Sequence, residues 1–256
     1  MVTLRSLQKW HGAGNDFLID VLEPGEGTWW NADRARRVCD RARGVGADGL
    51  LVAVLGEPVT MVLYNADGSV AEMSGNGIRC LAAAVRRTTT SDWSQLEVAT
   101  DAGLRLVDLA MNGDAGYGSV AMGEVTFLET LPSTLGVANV GNPHVVVRDD
   151  PSWDRVRCEY LASSLAERLG GANVEFVTVL DEHRARIRVI ERGVGWTLAC
   201  GTGSVATAAV LHREGLVGAE VTIENPGGDL MVKLESHEAR LAGPVQFVAN
   251  VEWLDA

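Results

Sequence analysis

The 256-residue sequence predicts an α+β fold organised as two pseudo-symmetric domains, and three observations carry that prediction. The length exceeds an ordinary single domain of about 150 residues. Short β-branched or apolar runs bounded by Gly, Asn, Asp and Pro dominate, with a few helical stretches among them. A glycine-rich turn followed by an alanine-rich helix occurs twice, half a chain apart.

In chain order, NADRARRVCDRA (31–42) reads as a helix, and LLVAVL (50–55) and TMVLYN (60–65) read as strands. IRCLAAAVRRT (78–88) is the second helix, its spacing compatible with one buried face. LETLPSTLG (128–136) places Pro, Ser, Thr and Gly between two strand-rich blocks and is the linker candidate, separating domains of residues 1–127 and 136–245. Beyond it, HVVVRD (144–149) and FVTVL (176–180) read as strands, YLASSLAERLG (160–170) and SVATAAVLHREG (204–215) as helices. The internal echo aligns SGNGIRCLAAAV from Ser74 with CGTGSVATAAV from Cys200, matching Gly75 with Gly201, Gly77 with Gly203, Ala82 with Ala208 and Ala83 with Ala209. The offset is a constant 126 residues, from 74 to 200, as a duplicated domain requires.

Composition narrows the partners. Thirty-four acidic residues against 22 Lys and Arg give a net charge of -12, a field that repels nucleic-acid phosphates and anionic membranes. No apolar run approaches the roughly 20 residues that span a bilayer, and MVTLRSLQKWHG lacks the apolar stretch of a signal peptide, so a cytoplasmic address is expected. Cys39, Cys80, Cys158 and Cys200 show neither CxxC nor Cys/His ligand spacing, so no disulfide framework or zinc motif is indicated.

Each copy of the echo puts Ser or Cys before Gly-x-Gly at a helix start. Free N–H groups and the positive end of the helix dipole there favour an anion such as a carboxylate. The P-loop lysine and the six-residue dinucleotide fingerprint are both missing, which points away from nucleotides and toward a small ligand. A thiol at such a position is pushed toward thiolate, which makes Cys200 a candidate general base. Glu191, nine residues upstream at the end of ARIRVIERG, lies where a loop could fold it back onto that thiol. HGAGND (11–16), GNPH (141–144) and NADGS (65–69) are glycine-rich loops whose Asn and His suit directed hydrogen bonds to amino and carboxylate groups.

The ordered motifs KWHGAGNDFLID, GVGADGLL, YNADGSVAEMSGNGIRCLAAA, GNPHVVV, IERGVGWTLACGTG and NPGGDLMV resemble those of the diaminopimelate epimerase family, from residue 9 to about residue 232. The resemblance implies two domains, each a mixed barrel-like sheet around a central helix, with a pocket where they meet and the tail 246–256 returning to the first. It also implies racemisation at Cα without pyridoxal phosphate or metal, two opposed cysteines moving the proton. By this likeness Cys200 with Glu191 forms one half of the machinery, and the position of Ser74 with His144 the other. Asn15, Asn65, Asn142, Asn173, Glu191 and Arg192 match substrate-binding positions, and the backbone of Gly75, Asn76, Gly201 and Thr202 would receive the α-carboxylate. The partner implied is a small amino acid, diaminopimelate by default, and homodimers occur in the family.

Two departures stand out. Ser74 occupies the place of the first catalytic cysteine, and a hydroxyl is a far weaker acid than a thiol. Trp196 stands where the family usually carries Glu, which makes it a specificity candidate, and Trp10 replaces a usual Met. An epimerase carrying a disabling serine, a one-base lyase or isomerase on another amino acid, and a non-catalytic amino-acid-binding protein all stay open at this point.

Overall fold

The computed structural model describes residues 3–27 and 29–255. The chain forms two compact units, one of residues up to Val120 together with those from Pro244 on, the other Ala121–Gly243.

The first unit runs β1 (Thr3–Gly12), β2 (Asn15–Leu22), α1 (Ala32–Cys39), β3 (Gly49–Val54), β4 (Val59–Asn65), β5 (Val70–Ala71), α2 (Gly75–Thr89), β6 (Gln95–Thr100), β7 (Gly103–Asn112) and β8 (Ala115–Gly123). The second contains β9 (Thr126–Phe127), β10 (Gly136–Asn139), β11 (Pro143–Arg148), α3 (Arg155–Glu167), β12 (Asn173–Asp181), β13 (Arg184–Glu191), β14 (Gly195–Thr197), α4 (Gly201–Arg213), β15 (Glu220–Asn225) and β16 (Gly228–Leu234). The final strand, β17 (Ala239–Asp255), pairs with β16 through Ala239–Ala242 and with β1 through Gln246–Asp255.

Both units follow one wiring scheme. In the first, β1–β2 is antiparallel, β2–β3 parallel, β3–β4 antiparallel, β4–β6 parallel, and β6–β7 and β7–β8 antiparallel. β8 then pairs with β17 and β17 with β1, closing an eight-stranded barrel and leaving no free edge in it. In the second, β10–β11 is antiparallel, β11–β12 parallel, β12–β13 antiparallel, β13–β15 parallel and β15–β16 antiparallel. Each parallel pair is joined by a helix: α1 and α3 at the first crossover, α2 and α4 at the second. The duplication inferred from the 126-residue echo is therefore a duplication of topology.

α2 and α4 are more deeply buried than the expected single face. Every residue from Gly75 to Val85 is buried, as is every residue of Gly201–Leu211 except the half-buried Thr202. A helix packed on all sides must be apolar all round. The alanines in both repeats thus mark helices packed against several strands, α2 on β1, β2, β3 and β7, and α4 on β10, β11, β12, β15 and β16. α1 and α3 cover the opposite faces of their sheets. Leu18, Leu50, Val38 and Trp30 form one cluster there, and Val145, Phe176, Cys158 and Leu165 the other.

Helix ends follow the caps. α1 starts at Asn31, whose side chain accepts from Arg34 N, and stops at Cys39 because Asp40 turns extended and uses its carboxylate on Ala42 N and Arg43 N. α3 starts earlier than the apolar spacing indicated, because the Asp154 side chain caps Arg157 N. The division between units falls at 120/121, ahead of the 128–136 stretch, which belongs to the second unit. There Leu128 N donates to Val137 O and β9 pairs with β10.

Candidate active site

The two helix starts singled out by the echo have the same local geometry. Ser74 caps α2 with φ -133° and ψ 124°, its Oγ accepting from Gly77 N at 3.1 Å. Cys200 caps α4 with φ -125° and ψ 114°, its Sγ accepting from Gly203 N at 3.3 Å. A glycine follows three residues on in each case, and at 203 the space requires one. A Cβ at Gly77 would sit 3.1 Å from Ser74 Cβ, and one at Gly203 would sit 2.5 Å from Glu175 Oε1 and 3.2 Å from Cys200 Sγ.

Around Cys200 the second unit gathers a buried polar group. His144 Nδ1 and Glu175 Oε1 are hydrogen-bonded at 2.7 Å, and His144 Nε2 lies 2.9 Å from Asn142 Oδ1 and 3.5 Å from Asn173 Nδ2. Ligating atoms of His144, Glu175 and Cys200 all lie within 4.8 Å of one another. β-Pairing explains the convergence, since His144 and Asn173 are register partners on parallel β11 and β12, and Glu175 follows two residues on, on the same face. Asn173 Oδ1 accepts from Arg192 N at 2.8 Å, tying the end of β13 to this group, while the Arg192 side chain is exposed. Glu191 accepts from Thr197 Oγ1 at 2.6 Å. Burial pushes the Glu191 carboxyl up, against the Thr197 bond, and its neighbours include Glu175, His144 and the Cys200 thiol.

The protonation expected for Cys200 needs correction. Burial first, then the charges of Glu191 and Glu175, push the thiol well above its ordinary value, and the Thr202 and Gly203 hydrogen bonds only partly oppose them. A helix start does favour thiolate, but here desolvation and two carboxylates outweigh it. Burial and the two carboxylates thus favour the protonated form of the Cys200 thiol.

In the first unit, Asn76 Nδ2 reaches Asn15 Oδ1 at 3.4 Å, and Asn15 Nδ2 donates to Asp48 Oδ2 at 2.6 Å. Asp48 and Asp16 both bind Arg41. Asn65, exposed at the end of β4, donates to Ser69 Oγ at 3.0 Å. Gly75 and Asn76 form the first turn of α2, as Gly201 and Thr202 form that of α4. The structure groups His144 and Asn142 with Cys200, in the same unit.

Trp196 is a second correction. β14 pairs Trp196 with Ile190, so its ring points to the α3 side, stacking on Phe176 at 6.3 Å and donating Nε1–H to Glu159 at 2.7 Å. Strand alternation puts it on the sheet face opposite to Glu175. It packs under α3 and is not positioned to select substrate at Cys200. Trp10, with 0% exposure, fills core volume against Phe247.

Three residues were missed from the sequence. Glu175 interrupts the apolar run NVEFVTVL, and a lone acid inside a buried strand was the available signal. Asn225, in the NPGG motif, accepts from Cys200 N at 3.4 Å and donates to Ser204 Oγ at 3.1 Å. Arg79 is completely buried, its Nη groups donating to Gly75 O and Asn76 Oδ1 at 2.9 and 2.8 Å, so it braces the first turn of α2 from beneath.

The profile of Diaminopimelate epimerase matches residues 7–128 and 136–248. Diaminopimelate epimerase of Synechocystis sp. is 34% identical, covering 95% of this chain and 96% of its own, and that of Rhodococcus opacus is 36% identical over 94% of each. Among solved structures, a PhzF-family phenazine biosynthesis protein of Bacillus anthracis superposes with a TM-score of 0.75 at 15% identity, over 99% of this chain and 100% of that one. A hydroxyproline epimerase of Agrobacterium vitis superposes with 0.71 at 16% identity, over 98% and 91%; both likenesses show the shared fold. No helix among the described residues is long and apolar enough to cross a membrane. By the profile match and by these relatives, the chain belongs to the diaminopimelate epimerase family, and it is an isomerase.

Proposed function

We propose that the chain epimerises an amino acid at Cα by proton transfer without pyridoxal phosphate, with diaminopimelate, LL to meso, as its substrate. The observation that carries this is the matched pair of caps: Ser74 and Cys200 hold the same backbone geometry and the same i+3 hydrogen bond at the starts of the two central helices. Stereoinversion needs one group to take the Cα proton and another to return one from the opposite face. Cys200 supplies a thiol proton, and by microscopic reversibility its thiolate accepts one in the reverse direction. His144, Glu175 and Glu191 set the charge around that thiol. The free N–H groups of Gly75, Asn76, Gly201 and Thr202 suit the substrate α-carboxylate, and Asn15, Asn65, Asn142, Asn173 and Arg192 supply hydrogen bonds to its polar groups. Ser74 keeps the cap but not the acidity, so the native chain inverts slowly.

The second reading, one-base chemistry on another amino acid, is favoured by Ser74 alone. It loses the support of Trp196, whose ring faces α3. The test is product chirality by NMR from LL-diaminopimelate and from a panel of other L-amino acids, with the native protein and Ser74→Cys. Faster inversion of diaminopimelate by Ser74→Cys supports the proposal. Elimination or double-bond migration by the native protein on another amino acid would replace it with the second reading, and binding without any exchange would leave an amino-acid-binding protein.

A further inference from the structure

We infer that His144, Glu175 and Cys200 form a binding site for a thiophilic divalent metal ion of the Zn2+ class, which occupies Cys200 and so inhibits the protein reversibly. A histidine nitrogen, a carboxylate oxygen and a thiol sulfur converge within 4.8 Å, a donor set that suits Zn2+, with a fourth position left for water. An ion bonded at about 2.0 to 2.3 Å to each would hold its ligands about 3 to 4 Å apart, so shifts of about an ångström complete the set.

A second observation points the same way. Glu175 is fully buried, yet its Oε2 has no hydrogen-bond partner, while Oε1 is held by His144. A buried carboxylate oxygen without a donor is costly, and a cation relieves it. The ligands sit on β11, β12 and the α4 cap, and Asn142 already holds the far ring nitrogen of His144, as ligating histidines usually require. Sequence spacing is silent here because the three ligands are 31 and 25 residues apart on different elements (144, 175, 200).

Binding is an exchange without redox change: the S–H bond breaks, its proton leaves to solvent, and a sulfur–metal bond forms. The site stands whether or not the chain epimerises. The experiment is titration of the reduced protein with Co2+, followed by absorption. The expected result is a thiolate-to-cobalt charge-transfer band saturating at one equivalent and removed by Zn2+. Cys200→Ser should abolish the band, and Ser74 shows that a serine is accommodated at the equivalent cap of α2. Glu175→Gln should weaken Co2+ binding at least about tenfold, while Cys158→Ser leaves it unchanged. His144→Ala gives a second test should Cys200→Ser fail to fold, and it should also lose the band. Absence of the band in the native protein, or its persistence in either Cys200→Ser or His144→Ala, overturns the inference.

Discussion

Gly203→Ala tests the buried polar group most sharply through stability. The added methyl carbon would lie 2.5 Å from Glu175 Oε1 and 3.2 Å from both Cys200 Sγ and Cys200 Cβ. The carboxylate must move, and it cannot move far without leaving His144. Overpacking costs about 1 to 3 kcal/mol, and loss of a charged buried hydrogen bond about 1.5 to 3. Alanine returns up to about 1 kcal/mol of helix propensity over glycine, leaving a net loss of about 1.5 to 5 kcal/mol. The equivalent Gly77→Ala meets Ser74 Cβ at 3.1 Å and Phe17 Cζ at 3.3 Å, contacts that give by a few tenths of an ångström, so it should be neutral within about 1 kcal/mol. At about 2 to 4 °C per kcal/mol for a chain of this size, calorimetry should show Gly203→Ala melting about 3 to 20 °C lower and Gly77→Ala nearly unchanged. Equal shifts in the two variants would refute the packing of Glu175 against α4.

Other consequences follow from the same geometry. Trp196→Phe should leave substrate preference untouched and cost about 1 kcal/mol, since it removes only the Glu159 bond and some stacking area; a changed amino-acid profile would return Trp196 to the substrate site. Arg79→Met should lower the urea-derived stability by about 1 to 3 kcal/mol, because Gly75 O and Asn76 Oδ1 lose their donor, and a neutral result would show that the guanidinium braces nothing. Burial pushes the Cys39 and Cys80 thiols up to about 12, above the unfolded value near 9. Their folded forms hold protons that the unfolded chain releases, so stability is intact below about pH 9 and falls as pH rises toward 12. Urea midpoints of Cys39→Ala and Cys80→Ala should therefore decline less over that range than those of the native protein. Glu191→Gln removes one of the charges opposing the Cys200 thiolate, so alkylation of Cys200 should begin at lower pH than in the native chain; an unchanged profile would remove Glu191 from the site.

The caps were the most legible part of the site, because Ser74, Cys200 and their i+3 glycines express a local rule that needs no tertiary information. The duplicated wiring was legible for the same reason. What escaped depended on neighbours distant in sequence. Glu175 acquires meaning only when parallel pairing of β11 and β12 sets it beside His144, and Asn225 only when β15 brings it to the start of α4. The raised Cys200 thiol is a sum of burial and two carboxylates, neither visible in a rule about helix starts. Trp196 was misread because face assignment in β14 hinges on its partner, Ile190, and a one-residue change of register would have turned the ring toward Glu191. The alanine runs carried more than was read from them: all-round apolarity already distinguished central helices from surface ones.

Deuterium incorporation at Cα of LL-diaminopimelate in heavy water, compared between Ser74→Cys and the double variant Ser74→Cys/Cys200→Ser, addresses the central claim most directly. The account predicts exchange and inversion by the single variant, at least about 100-fold faster than by the native chain, in line with the worth of a well-matched acid or base. It predicts loss of inversion in the double variant. Failure of Ser74→Cys to exchange the Cα proton, or equal inversion with and without Cys200, would contradict it.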